Sequence, residues 1–151
     1  MLDGDCVIGV DGGGSHTRAA LVGRDGRIVE VVHGSGGNFQ QIGLEGLERL
    51  LRDMLGAWVE SPNGVRPRAM CLGLAGAGRQ AEQEAITTHF EALGWVGRVR
   101  VESDARTALA GAHAGQAGII AIAGTGSMVL GVNEEGEWVR AGGWGPILGD
   151  E

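Results

Sequence analysis

The chain contains 151 residues, enough for one domain with a real core and too few for two large domains. Its formal net charge is −7 and its twelve basic residues are all arginine, which argues against a nucleic-acid-binding face and excludes the lysine-dependent Walker A phosphate loop. Because the N-terminus does not resemble a signal peptide and no apolar run reaches the ~18 residues of a membrane span, we expect a cytoplasmic protein with no membrane partner.

The first part of the chain predicts an antiparallel meander. Apolar runs at residues 6–11, 16–23 and 27–34 are typical of strands. The turns between them are Gly12–Ser15 and Arg24–Gly26, and the second is a strong hairpin signal. No stretch between the first two strands is long enough for a helix, so these strands should pair directly.

The rest of the chain alternates helices and strands. Helices are predicted at Leu44–Val59, Ala81–Leu93 and Ser103–Ala114, and strands at Arg68–Ala75, Val96–Val101, Ile119–Ala123, Met128–Val132 and Glu137–Arg140. This order predicts an α/β fold: a mixed sheet, made of a three-strand antiparallel meander plus parallel strands, with helices on both faces. Gly142–Glu151 is typical of a loop that leads into a further element. We therefore expect residues 1–141 to form one domain and residues 142–151 to begin a segment that leads to a missing C-terminal domain.

Two glycine-rich turns, Asp11–Thr17 and Gly124–Ser127, each join two strands and carry hydroxyl groups. Glycine lets backbone N–H groups come close to an anion, and Ser15, His16 and Thr17 can add donors. Asp11 would repel a phosphate unless a divalent cation lies between them, and Mg²⁺ is usually held by one or two carboxylates plus phosphate oxygens. Two such turns could hold a triphosphate from opposite sides, although the first alone also fits an ordinary hairpin turn with a surface acid.

The two turns resemble the first and second phosphate loops of the actin-like ATPase superfamily. The closest resemblance is to the N-acetylglucosamine kinase group, also called the BadF/BadG/BcrA/BcrD ATPase family. Four more stretches resemble that family in order and spacing: Gly34–Phe39, Gly73–Gly76, Ser103–Ala105 and Gly142–Glu151. The resemblance covers essentially the whole chain but only the N-terminal half of a family member. It implies a ribonuclease H-like, actin-like ATPase domain whose missing half would supply the adenosine pocket.

The resemblance also implies roles for individual residues. Asp104 would accept the proton of a sugar hydroxyl as that hydroxyl attacks the γ-phosphate of ATP, although an acid there also suits an ordinary helix N-terminus. Asp11 would hold Mg²⁺ through water, and His16 would be structural within its loop. The residues expected to bind the phosphates of ATP are Gly12, Gly13, Gly14, Ser15, His16, Thr17, Gly124, Thr125, Gly126 and Ser127. Those expected at the sugar, besides Asp104, are Asn38, Gly143, Trp144, Gly145 and Asp150.

The sequence therefore predicts the N-terminal domain of an ATP-dependent kinase that phosphorylates an amino sugar similar to N-acetylglucosamine, poorly active as this fragment. Its partners would be the sugar and the missing domain; a homodimer is left open. One alternative is an ATPase or activase of the BadF type without a sugar substrate. The other is an NAD-binding Rossmann-type domain, since Gly76–Ala81 fits G-x-G-x-x-A and Glu102 follows at the next strand.

Overall fold

The computed structural model describes residues 5–60, 66–123 and 127–143. The chain divides into two compact units, Met1–Asp104 and Ala105–Glu151, and each contains its own sheet. None of the described helices is long and apolar enough to cross a membrane.

The first unit is built on a five-stranded mixed sheet with the strand order β3-β2-β1-β4-β5. Its elements are β1 (Cys6–Gly12), β2 (His16–Gly23), β3 (Ile28–Ser35), α1 (Phe39–Val59), β4 (Ala69–Leu74), α2 (Gln80–Leu93) and β5 (Val99–Ser103). Strands β1 to β3 pair antiparallel, whereas β1–β4 and β4–β5 pair parallel. The predicted meander followed by parallel strands is confirmed.

One apolar core holds this unit together. Along β1, Cys6, Ile8 and Val10 are buried while the residues between them are exposed, as expected for a strand with one covered face. Helices α1 and α2 contribute to the same core, and their buried residues are Leu47, Leu51, Leu55, Trp58, Ile86 and Phe90. Because each fully buried leucine contributes about 1.5–3 kcal/mol, this helical stripe is a main source of the unit's stability.

Glycines set the ends and breaks of the helices. The predicted helix Leu44–Val59 is the longer part of α1, and Gly43, with a φ of 63°, separates it from a first turn that begins at Phe39. Helix α2 ends at Gly94, whose φ of 65° lies in the left-handed region that favours glycine at this position. Strand β5 starts at Val99, three residues later than predicted, although Val96 is buried in the same core.

The second unit contains a separate three-stranded antiparallel sheet with the order β6-β7-β8. Its elements are α3 (Asp104–Ala112, whose first residue belongs to the first unit), β6 (Gly118–Ala123), β7 (Ser127–Val132) and β8 (Trp138–Gly142). Ala105 and Leu109 of α3 pack with Leu130 of β7 in a small core. The six helices and strands predicted after residue 80 are all present, with ends shifted by a few residues.

An ionic cluster joins the outer sides of α1 and α2. The Glu48 carboxylate accepts a hydrogen bond from Arg52 at 2.9 Å and lies 2.6 Å from Nε2 of His89 on α2. Arg52 also pairs with Glu60 at the end of α1. Arg52, and after it His89, lowers the pKa of the Glu48 carboxyl below its ordinary value. A carboxyl with a lowered pKa stabilises the fold above its unfolded pKa, and that contribution is lost as the pH falls through the folded value.

We expect Glu48→Gln to lower the midpoint of thermal unfolding at pH 7. The difference from wild type should shrink as the pH falls through the lowered pKa of the Glu48 carboxyl, because the wild-type carboxyl then becomes protonated as well. Circular dichroism melts between pH 3 and pH 7 would measure both effects. Glu45→Gln, on an exposed residue of the same helix, is the matched control and should change the midpoint little at any pH. A deficit for Glu48→Gln that is the same at pH 3 and pH 7 would contradict the ionic explanation.

Candidate functional site

The parallel strands of the first unit end at one edge of the sheet. Gly12 of β1 pairs with Leu74 of β4, and Leu74 pairs with Ser103 of β5. The turn after β1, the turn after β4 and the start of α3 at Asp104 therefore lie along the same edge. Open α/β sheets bind ligands outside the carboxyl ends of their strands, so this edge is the candidate site.

The first glycine-rich turn is a tight hairpin between β1 and β2. The N–H of Gly13 donates to the carbonyl oxygen of His16 at 3.0 Å, which leaves Gly14 and Ser15 at the tip. Gly14, Ser15 and His16 are exposed, and a Cβ built on Gly14 would meet only open space. The N–H groups of Gly14 and Ser15 donate to no other residue in the described parts of the chain. The tip thus presents backbone donors outward, as an anion-binding turn does.

Thr17 behaves differently from its neighbours in this turn. It is 1% exposed, and its hydroxyl has no hydrogen-bond partner among the residues that the structure describes. Its side chain lies on the inner face of the sheet beneath Gly37, so in this structure it is not on the outer side of the turn with Ser15 and His16.

The segment before α1 packs directly against the inner side of the turn. The N–H of Gly37 donates to the carbonyl oxygen of Gly13 at 2.9 Å. A Cβ on Gly36 would overlap the carbonyl oxygen of Gly14, and a Cβ on Gly37 would lie 2.6 Å from Oγ1 of Thr17. Gly36 is therefore required by the close approach of the turn backbone, and Gly37 by the close approach of the Thr17 side chain.

Asn38 follows these glycines and is the N-cap of α1. Its Oδ1 accepts a hydrogen bond from the N–H of Gln40 at 3.0 Å, and the N–H of Phe39 donates to the carbonyl oxygen of Ala75 at 2.9 Å. Gly76, with a φ of 78°, packs against Oδ1 of Asn38. Capping uses the carboxamide oxygen, whereas Nδ2 donates to no other described residue. The oxygen is therefore used by the cap, and the nitrogen is left for a ligand.

Asp104 is the first residue of α3 and directly follows β5. It is half-buried and takes part in interactions with its surroundings. A carboxylate in the first turn of a helix is favoured by the helix dipole. Asp11 is exposed one residue before the end of β1 and pairs with Gly73 of β4 across the parallel ladder.

The predicted residues of the second unit are described in part. Gly124, Thr125, Gly126, Trp144, Gly145 and Asp150 lie outside the described residues. Ser127 pairs with Ala123 where β6 and β7 meet, and a Cβ on Gly142 would lie 2.8 Å from the carbonyl oxygen of Ser127. Gly143, with a φ of 69°, follows β8 at that same end. One end of this sheet therefore carries both the described part of the second glycine-rich turn and the first of the predicted sugar-side glycines.

The described residues contain no cluster of three or more His, Cys, Asp or Glu side chains that could hold a metal ion. Asp11 is a single exposed carboxylate beside an anion-type turn. That donor set fits Mg²⁺ held by one carboxylate, water and phosphate oxygens, and does not fit an ion caged by protein groups alone.

The structure does not favour the alternative of a dinucleotide site. After β4, the segment Gly76–Arg79 ends in an N-cap at Arg79, whose backbone N–H donates to Glu82 at 3.1 Å. Glu102, the expected ribose-binding acid, is paired at 2.7 Å with Arg100, which lies two residues earlier on β5. This fingerprint also follows three hairpin strands, whereas the dinucleotide fingerprint opens the first βαβ unit.

Comparison with known proteins agrees with this geometry. An N-acetylmuramic acid/N-acetylglucosamine kinase from Clostridium acetobutylicum is 37% identical over 96% of this chain and 48% of its own length. An N-acetyl-D-glucosamine kinase from Dictyostelium discoideum is 31% identical over 97% of this chain and 49% of its own. A glucosamine kinase from Vibrio cholerae is 32% identical over 80% of this chain and 41% of its own. The chain spans about half the length of the curated relatives it matches.

Two solved structures share the fold. One, from Chromobacterium violaceum and provisionally assigned as an N-acetylglucosamine kinase, matches with a TM-score of 0.77 and 34% identity over 97% of this chain and 52% of that chain. The other, from Porphyromonas gingivalis with the same provisional assignment, has a TM-score of 0.77 at 24% identity and supports the fold alone.

These neighbours define the class as an α/β domain of the actin-like ATPase fold. The model of the BadF/BadG/BcrA/BcrD ATPase family matches residues 8–151, and the chain belongs to that family. The resemblance seen in the sequence is confirmed. What the sequence missed is the contact of Gly37 with the first turn and of Gly76 with Asn38. Only the glycines themselves signalled those positions, because both contacts arise in the tertiary fold.

Substitutions can separate the role of the Asn38 carboxamide oxygen from the role of its nitrogen. We expect Asn38→Ala to lower the free energy of unfolding by about 1 kcal/mol, because it removes the cap of α1. Asn38→Asp keeps the capping oxygen and should retain nearly all of that stability, while it removes the amide donor. Urea denaturation followed by circular dichroism would compare the two variants. Equal losses for both would show that Oδ1 does not cap the helix.

Proposed function

We propose that this chain is the N-terminal part of an ATP-dependent kinase that transfers the γ-phosphoryl group to a hydroxyl of an amino sugar similar to N-acetylglucosamine. The observation that carries the proposal is the shared edge of the first sheet. There an anion-type turn, an asparagine with a spare amide and an aspartate each follow, or pack against, the end of a parallel strand. Membership of an ATPase family and the names of the three curated relatives support the same chemistry.

In this proposal the first turn binds phosphate through the outward N–H groups of Gly14 and Ser15, with the Ser15 hydroxyl and His16 beside them. The second turn, Gly124–Ser127, would also bind phosphate. Asp11 holds Mg²⁺ through water, and the ion when bound offsets negative charge on the transferring phosphoryl group.

On the acceptor side, Asp104 takes the proton of the attacking sugar hydroxyl, as a catalytic aspartate does in other kinases. Nδ2 of Asn38 donates a hydrogen bond to a sugar hydroxyl, which fixes the orientation of the ring. Asp150 would bind a further hydroxyl, and Trp144 with Gly143 and Gly145 would shape the pocket.

The substrate class follows from the relatives. Their names include N-acetylmuramic acid, N-acetylglucosamine and glucosamine, which share an amino-sugar ring and differ at the nitrogen substituent and at the lactyl ether. We therefore propose the amino sugar as a class and leave the individual sugar to measurement.

The function is tested by ADP release from the full-length protein with Mg²⁺-ATP and a panel of these sugars. We expect one or more sugars to raise ADP release, and Asp104→Asn to lower the sugar-dependent kcat by roughly 10²–10⁴-fold, the usual contribution of a general base. Asp53→Asn, on an exposed residue of α1, is the matched control and should retain activity.

Two results would contradict the proposal. ADP release that is equal with and without every sugar would favour an ATPase or activase without a sugar substrate. Full sugar-dependent activity of Asp104→Asn would remove this residue from the catalytic role and leave the kinase reaction with another base.

A further inference from the structure

The backbone of the first turn contacts the backbone of the segment that carries Asn38. The Gly37 N–H donates to the Gly13 carbonyl oxygen at 2.9 Å, and Gly36 leaves no room for a Cβ beside the Gly14 carbonyl. The outer side of the same turn carries the exposed N–H groups of Gly14 and Ser15. If the turn moves, Gly36 and Gly37 must therefore move with it.

Thr17 adds a second contact at the same place. Its buried hydroxyl lies beneath Gly37 and is unpartnered among the described residues. A buried hydroxyl without a partner destabilises a fold, and replacement by an apolar group of the same shape can be stabilising. Such groups in native proteins require an explanation, and one explanation is a role in function. The position of Thr17 between turn and segment indicates what that role is.

Asn38 follows Gly37 directly, so its position depends on that of the turn. Its oxygen is fixed by the cap of α1 and its nitrogen is available for a ligand. We propose that Gly37 and Thr17 couple the two ligands of the site: phosphate bound on the outer side of the turn positions Asn38 for the sugar, and sugar bound at Asn38 tightens the turn on the nucleotide. Thr17 and Gly37 are positioning residues in this scheme. The inference rests on the proposed function, because it needs both ligands to bind.

Coupling of this kind is reciprocal and can be measured from either ligand. The experiment is isothermal titration of the full-length protein with ADP and Mg²⁺, with and without saturating N-acetylglucosamine. In the wild type we expect the sugar to lower the Kd of the nucleotide by about fivefold or more, the lower end of ordinary couplings. In Gly37→Ala the ratio of the two Kd values should fall to within about twofold of unity, because the added methyl group separates the segment from the turn.

Gly9→Ala is the matched control. Gly9 lies in β1 ahead of the turn, and a Cβ built there meets no atom within 4 Å. This variant should keep the wild-type ratio of Kd values.

A second substitution tests whether Gly37→Ala acts through its contact with Thr17. A Cβ at position 37 would lie 2.6 Å from Oγ1 of Thr17 and farther from every other atom. Thr17→Ala removes that oxygen, so Gly37→Ala combined with Thr17→Ala should recover part of the thermal stability that Gly37→Ala alone loses, while the coupling stays low because the Thr17 hydroxyl is absent. In Gly36→Ala the Cβ would meet the backbone of Gly14, and Thr17→Ala should give no recovery there.

Thr17→Val keeps the inference testable if Gly37→Ala does not fold. It removes the hydroxyl and keeps the shape, so the midpoint of thermal unfolding should rise by about 2 °C or more while the coupling falls at least about threefold. A merely structural threonine would change the melting midpoint without changing the ratio of Kd values.

The outcomes separate the two proposals. If the wild type binds no amino sugar, the proposed function fails. If the wild type binds and phosphorylates a sugar but the sugar leaves the Kd of the nucleotide unchanged, the kinase stands and the coupling is wrong. The coupling is also wrong if Gly37→Ala or Thr17→Val retains the full wild-type ratio.

Discussion

The parallel pairing of β1 with β4 and of β4 with β5 is the constraint on which the candidate site depends. Residues with proposed chemical roles lie far apart in the sequence. The pairing of Gly12 with Leu74 and of Leu74 with Ser103 brings the strand ends that lie next to them to one edge of the sheet. The pairing is maintained by the apolar face below it, where both helices of the first unit pack. Substitutions that weaken that core would therefore disturb the site even though they replace no polar residue in it.

Glycine has two separate uses at this edge. In the tip of the first turn it leaves backbone donors open to an anion, whereas at positions 36 and 37 it lets one stretch of backbone lie against another. The first use predicts that a side chain would obstruct a ligand, and the second predicts that it would separate parts of the protein. The distinction explains why a composition rich in glycine accompanies an ordered site and does not indicate a flexible chain.

The sequence was sufficient for most of the fold because its signals were local. Alternating burial in β1, the leucine spacing of α1 and the glycine after Leu93 each depend on a few neighbouring residues, and the structure has these elements where they were expected. The predicted start of β5 at Val96 is too early. Val96 is apolar because it packs in the core, and the paired strand begins only at Val99. The roles proposed for Asp104 and Asn38 came from resemblance to a family. Alternation along β2 places Thr17 on the same face as Ala19 and Leu21, but no pattern in the chain could show that Gly37 contacts Gly13, since these segments meet only after folding.

The interruption of α1 at Gly43 has a mechanical consequence. Leu47, Leu51 and Leu55 anchor the longer part of the helix in the core, whereas Asn38 caps the short turn on the other side of the break. An unbroken helix would behave as a stiff rod, and any tilt at its capped end would pull leucines out of the core. With a left-handed glycine between the two parts, a small rotation at one residue can absorb that tilt. The end that bears Asn38 can therefore shift toward a ligand, while Leu47, Leu51 and Leu55 stay in the core.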